Sequence, residues 1–228
     1  VITLCTGLSM SSITTNIKIG AGGPYSIISK SLGLEAGGSI GIPFYISQSL
    51  SAALYIIGFT EGWLMIFPEQ SKLLVSLITV FLLFGISYTG AKYAIRVQYI
   101  IFVLIILSIL SFFFTQAEPV DKITLIGGFE DAGFWEVFAI FFPAVTGIMA
   151  GANLSGDLKN PRKSIPYGTL SAIGFTLVIY LLMAFFSANY INTDELRTNQ
   201  MFMVDYAFWG PLVIMGILAA TFLQHLVV

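Results

Sequence analysis

The stretch FFPAVTGIMAGANLSGDL, residues 141–158, holds the residues best placed to do chemistry in this chain. Pro143 has no N–H to give a helix and crowds the carbonyl four residues back. Gly147, four positions on, and Gly151 beyond it add backbone freedom and room for close approach. Between Pro143 and Gly147, Ala144, Val145 and Thr146 have nothing bulky enough to hold a strained helix straight. The pattern predicts two half-helices with an unwound stretch around 143–147. Such a break frees carbonyl oxygens at the end of the first half. It also frees N–H groups at the start of the second, at the positive end of a helix dipole. Carbonyl oxygens suit a cation, and open N–H groups suit an anion. The plainer reading is a kink without a ligand, since Pro and Gly are both common in membrane helices.

The composition places that break in a lipid bilayer. The chain has 228 residues, 57% hydrophobic and 10% charged, with a mean hydropathy of +0.90. A soluble domain carries about 25% charged residues, so this is an integral membrane protein. Irregular backbone at membrane depth is tolerated only where it is buried or lines a cavity. Secondary transporters build substrate sites from discontinuous helices of this kind. The net charge of −2 and the scattered Lys and Arg residues offer no nucleic-acid patch. Cys5 and His225 are each alone, which rules out an internal disulfide and leaves no metal cluster and no nucleophile–base pair. Neither an enzyme nor a cofactor is expected.

The elements that must position the break are all-α. Apolar segments long enough to be membrane spans fall at about 1–16, 39–66, 72–91, 97–116, 134–154, 166–189 and 209–228. Lipid offers no partner for open backbone, so the spans are helices, packed as a polytopic bundle with one continuous core. The joints are 16–38, 68–71, 117–133, 156–165 and 190–208. One alternate set of joints holds Lys18, Lys30, Lys92, Arg96, Lys159, Arg162 and Lys163. The other holds only Lys72, Lys122 and Arg197, together with Glu69, Glu118, Asp121, Glu130, Asp131, Asp194, Glu195 and Asp205. The basic set is expected in the cytoplasm. Residues 25–32, flanked by Lys18 and Lys30, read as a short amphipathic helix on the inner membrane surface. Val1 and Val228 both lie inside apolar stretches, so the chain reads as an internal piece of a longer polytopic protein.

Four further features are weighed against blander readings. Tyr55 stands sixteen residues beyond Ser39, about 24 Å along a helix, past the centre of its span, where a phenol needs a partner. Glu61, near the outer mouth, reads equally as a functional carboxylate or a solvated charge. Asp157, Lys159, Arg162 and Lys163 read as topology and inner-gate packing. The glycosylation pattern Asn153-Leu154-Ser155 falls on the cytoplasmic side and is discounted.

Residues 141–170, FFPAVTGIMAGANLSGDLKNPRKSIPYGTL, closely resemble the signature segment of the cation–chloride cotransporters, in the amino acid–polyamine–organocation superfamily. GAGGPYSIISKSLGLEAGGSIG (20–41) and SAALYIIGF (51–59) resemble the second-to-third-helix region of that family. The likeness extends to about Thr221 and matches the second through eighth helices of an inverted-repeat, LeuT-like fold. It implies one transmembrane transporter domain over 1–228, incomplete because the family's first and tenth helices are unmatched. It also implies potassium bound by Pro143, Thr146 and the Tyr55 hydroxyl, and chloride bound by the amides of Gly147, Ile148 and Met149. The expected activity is symport of potassium and chloride by alternating access across the plasma membrane. The family often forms dimers through later helices and a cytoplasmic domain. Sodium-coupled members carry paired serines shortly after an Ala-Thr, whereas Ala220-Thr221 here precedes Phe222, Leu223 and Gln224, which leaves sodium dependence open. An amino-acid or polyamine permease of the same superfamily and a non-transporting membrane paralogue are the alternatives.

Overall fold

A computed structural model describes residues 1–17, 21–88, 91–120, 123, 133–156 and 158–225. Lys18, Asp121, Lys122, Glu130, Asp131 and Asp157, which entered the charge and gate readings above, lie outside the described residues. The described elements are helical: α1 (Ile2–Asn16), α2 (Gly23–Leu32), α3 (Leu34–Ile66), α4 (Lys72–Tyr88), α5 (Ala91–Phe113) and α6 (Phe134–Phe141). Then come a 3₁₀ turn (Phe142–Val145), α7 (Ala150–Asn153) and a second 3₁₀ turn (Leu154–Gly156). The chain continues through α8 (Pro161–Tyr190), α9 (Thr193–Thr198), α10 (Phe202–Asp205) and α11 (Gly210–His225). Among the described residues there is no strand. The helices at Leu34–Ile66, Ile95–Phe113 and Pro161–Tyr190 are long and apolar enough to cross a membrane.

Burial runs opposite to that of a soluble domain. Thr14 and Thr60 are fully buried, while Phe81 is 70% and Leu181 62% exposed. In a bilayer the outward apolar faces meet lipid, and small hydroxyl residues let helices approach. Two of the buried hydroxyls are satisfied within their own helices: Ser11 Oγ donates to the Gly7 carbonyl at 2.6 Å and Thr79 Oγ1 to that of Val75 at 2.8 Å.

The chain divides into two compact units. The first comprises Val1–Tyr45 and Val120–Asn189, and its core is Met10 and Ile27 packed with Ala152 and Ile165. The short helix expected over 25–32 is α2, which buries Pro24, Ser26 and Ile27 on one face. Gly22 and Gly23 before it take φ of 112° and 52°, a region that favours glycine. A Cβ on Gly23 would lie 3.2 Å from the Ala152 carbonyl, so this turn seats α2 directly against α7. At Gly7, α1 meets α8, where a Cβ would lie 2.7 Å from Ile173 Cδ1.

The second unit comprises Ile46–Pro119 and Tyr190–Val228. Its centre is the α5–α11 pair, with Phe112 and Val213 almost fully buried. The chain enters α11 through Ser111, whose carbonyl accepts the Phe208 N–H and whose Oγ accepts the Trp209 N–H, each at 2.9 Å. Thr60 of α3 bonds Ser76 of α4 at 3.0 Å. In the 190–208 joint, Tyr206 donates to Glu195, and that bond, with burial and the Glu195 and Asp205 charges, raises the phenol above its ordinary range. Glu61 pairs with Lys72 at 3.2 Å, both more than half exposed, a surface pair worth at most about 1 kcal/mol.

At Gly216 of α11 the backbone passes so close to α5 that a Cβ would overlap the Ser108 side chain. Gly216→Ala is expected to destabilise the protein by about 1–3 kcal/mol, lowering its thermal midpoint in detergent. Combining it with Ser108→Gly should recover much of that loss. An unchanged midpoint for Gly216→Ala would count against this close packing.

Candidate functional site

The 134–154 stretch is a discontinuous helix, as its Pro and Gly content predicts: regular α-helix ends at Phe141 and resumes at Ala150, and the non-α stretch 142–149 contains the expected 143–147. Pro143 sits in the 3₁₀ turn Phe142–Val145, which follows α6 without a gap, so its missing N–H ends the i to i+4 ladder at Ala139 and the chain tightens into 3₁₀ pairing. The helical path is lost at Thr146, which is extended (φ −82°, ψ −179°), and at Gly147, with φ 93°. Helix resumes only as the single turn of α7. The second half-helix is thus far shorter than the sequence pattern implies. Its dipole is correspondingly small, and anion attraction must come from the free amides themselves.

Continuing the helix would pair four carbonyls with four amides: Pro143 with Gly147, Ala144 with Ile148, Val145 with Met149, and Thr146 with Ala150. The break opens all four pairs. The Pro143 carbonyl is instead capped by its own turn, accepting the Thr146 N–H at 3.2 Å and the Thr146 hydroxyl at 2.7 Å. The Ala144 carbonyl accepts the phenol of Tyr180, from α8, at 2.6 Å. Among the described residues, no acceptor meets the N–H groups of Gly147, Ile148 and Met149.

Rigid parts flank the opening. Upstream, Glu136 accepts the Gly133 N–H at 2.8 Å and closes the first turn of α6. Downstream, the Met149 carbonyl accepts the Ala152 and Asn153 N–H groups, both at 2.9 Å. Its side chain packs against the Met10–Ile27–Ala152–Ile165 core, so Met149 is held from both ends. Gly147 stands in open space, with nothing within 4 Å of a Cβ placed on it. Residues 137–156 carry no ionisable side chain, so whatever binds here meets backbone dipoles and a hydroxyl rather than a fixed charge.

Of the residues singled out in the sequence, Pro143 and Thr146 are joined by the hydrogen bond just described. Gly147, Ile148 and Met149 follow as consecutive open amides. Tyr55 belongs to the second unit, half-buried in α3 and eleven residues, about 16 Å, before its end at Ile66. In the glycosylation pattern, Ser155 is 1% exposed and the acceptor Asn153 is half-buried. Tyr180 was not anticipated. The signal was present, because a phenol inside the apolar run TLVIYLLM needs a polar partner as much as Tyr55 does.

Residues 1–224 match the family model described as amino acid permease. Solute carrier family 12 member 1 of Rattus norvegicus is 39% identical over 210 residues, covering 81% of this chain and 19% of the relative. The Homo sapiens protein of the same name is 39% identical over 209 residues, covering 80% of this chain and 19% of the relative. Solute carrier family 12 member 2 of Danio rerio is 40% identical over 208 residues, covering 81% and 18% respectively. The chain spans about a fifth of the length of these relatives. These are transporters and not enzymes. With a discontinuous helix in an all-α membrane fold and these relatives, the chain belongs to the amino acid permease family, on the cation–chloride cotransporter side to which residues 141–170 point.

Proposed function

We propose that the protein of which this chain forms part is a secondary active symporter of potassium and chloride in the plasma membrane, working by alternating access. The observation that carries this reading is the four-pair opening at 143–150, which leaves oxygens on one side and amides on the other without a charged side chain. Potassium is assigned to the Pro143 carbonyl and the Thr146 hydroxyl oxygen. These two atoms, 2.7 Å apart, can share one cation once the hydroxyl proton turns aside. The Tyr55 hydroxyl is the third ligand, on the strength of the family likeness. Chloride is assigned to the amides of Gly147, Ile148 and Met149. The reading leaves sodium coupling open and treats homodimer formation as a property of the full-length protein.

The deciding experiment is rubidium uptake by cells expressing the full-length protein, in chloride against gluconate medium, with and without sodium. Uptake is expected to require chloride. Tyr55→Phe removes a hydroxyl from a cation, an interaction worth about 1.5–3 kcal/mol, so the rubidium concentration for half-maximal uptake should rise roughly ten- to a hundredfold. Uptake indifferent to chloride would overturn the reading in favour of an organic substrate whose carboxylate takes the open amides.

Gly147 offers a test aimed at the anion side. Alanine fits the space around it, but at φ 93° a side chain adds about 1–2 kcal/mol of strain. Relaxation of that strain turns the following amides away. Gly147→Ala should therefore raise the half-saturating chloride concentration about five- to thirtyfold while reaching the surface normally. Chloride dependence identical to wild type would remove these amides from the assignment.

A further inference from the structure

The Ala144 carbonyl and the Ile148 amide are natural partners. In an unbroken helix they would form one i to i+4 bond. Here the carbonyl is taken by Tyr180, whose Oη lies 2.6 Å from it, and the amide is left open. The Tyr180 ring is steadied by an edge-on contact with Phe141, the last residue of α6, at 5.7 Å between centroids. One phenol from α8 thus touches the break at the end of its first half and at the carbonyl that could reclose it.

We propose that Tyr180 is a positioning residue that keeps the break open by capping the Ala144 carbonyl, so that the Ile148 N–H stays available to an anion. It acts through the backbone and touches no transported ion. The physical reason is competition: a carbonyl in a low-dielectric interior does not stay unpaired, and without the phenol its nearest donors along the chain are the open N–H groups of Gly147, which continues the 3₁₀ turn, and Ile148, which closes an α turn. Recapture of either N–H withdraws one of the three amides assigned to chloride and shortens the extended segment at Thr146. This proposal rests on the chloride assignment above for its transport consequence, but not for its structural one.

Two measurements separate the two. In full-length protein purified in detergent, hydrogen–deuterium exchange of the peptide spanning residues 145–150 is expected to slow in Tyr180→Phe relative to wild type, because an open amide becomes hydrogen-bonded. In uptake assays the same variant should raise the half-saturating chloride concentration about tenfold, with the half-saturating rubidium concentration at saturating chloride changed less than twofold. Tyr55→Phe should show the reverse split. Phe141→Leu keeps the phenol but loosens its seat; it should move both readouts in the same direction and by less, and it carries the test where Tyr180→Phe fails to fold. Unchanged or faster exchange in both variants would overturn the proposal. So would an equal weakening of both ions, which marks a merely structural tyrosine. Slowed exchange together with wild-type uptake that ignores chloride would leave the tether standing and sink only the chloride assignment.

Discussion

Inside a bilayer a backbone N–H or C=O that loses its partner finds no water to replace it. Every feature around the 134–154 stretch can be traced to that constraint. Opening four helical pairs exposes eight polar groups. The opening persists only because some are re-satisfied from elsewhere. Thr146 turns its hydroxyl and its own N–H back onto Pro143, and α8 supplies Tyr180 for Ala144. The carbonyls so treated lie at the start of the break, and the amides left open lie at its end. Polarity along the segment is therefore graded, from capped oxygens to bare N–H groups. The rest of the first unit maintains this grading. Packing of Met149 against α1, α2 and α8 fixes where the amides begin, and the left-handed glycines at 22 and 23 let α2 press close enough to α7 to hold it.

Much of this was legible in the sequence, for reasons that differ from residue to residue. A break could be read because Pro143 and Gly147 act through local sterics, which do not depend on what surrounds them. Its extent was read too short, because the 3₁₀ turn Phe142–Val145 and the non-helical residues after it carry the opening on to 149. The membrane setting followed from the scarcity of charge, and α2 from its apolar stripe between turn glycines. What could not be read was pairing across the fold. Nothing local says that Tyr180 reaches back 36 positions, or that Glu61 finds Lys72 and so becomes an exposed pair. Tyr180 also shows how a correct rule can be applied too narrowly. The argument that a phenol within a span needs a partner was used for Tyr55 and would have flagged Tyr180 as well.

Building such a site from backbone alone has an energetic consequence. A site with a fixed carboxylate or guanidinium holds its charge whether or not an ion is present. That charge must be neutralised in each state of the cycle. A backbone site is neutral when empty, so it favours taking up opposite charges together. On the proposed reading, a cation at the Pro143–Thr146 oxygens and an anion at the Gly147–Met149 amides sit at the two ends of one short, covalently continuous segment. Opposite unit charges about 4 Å apart attract by about 4 kcal/mol at an effective dielectric of 20, and by half that at twice the distance. An attraction of that order matches or exceeds the 1–3 kcal/mol typical of coupling between two ligands. Because coupling is reciprocal, each ion strengthens the other by the same factor. Neither needs a conformational signal to announce its partner. On the proposed reading, coupled, electroneutral binding has its source in the break, provided that the amides stay open, and that is the condition on which the proposed Tyr180 tether bears.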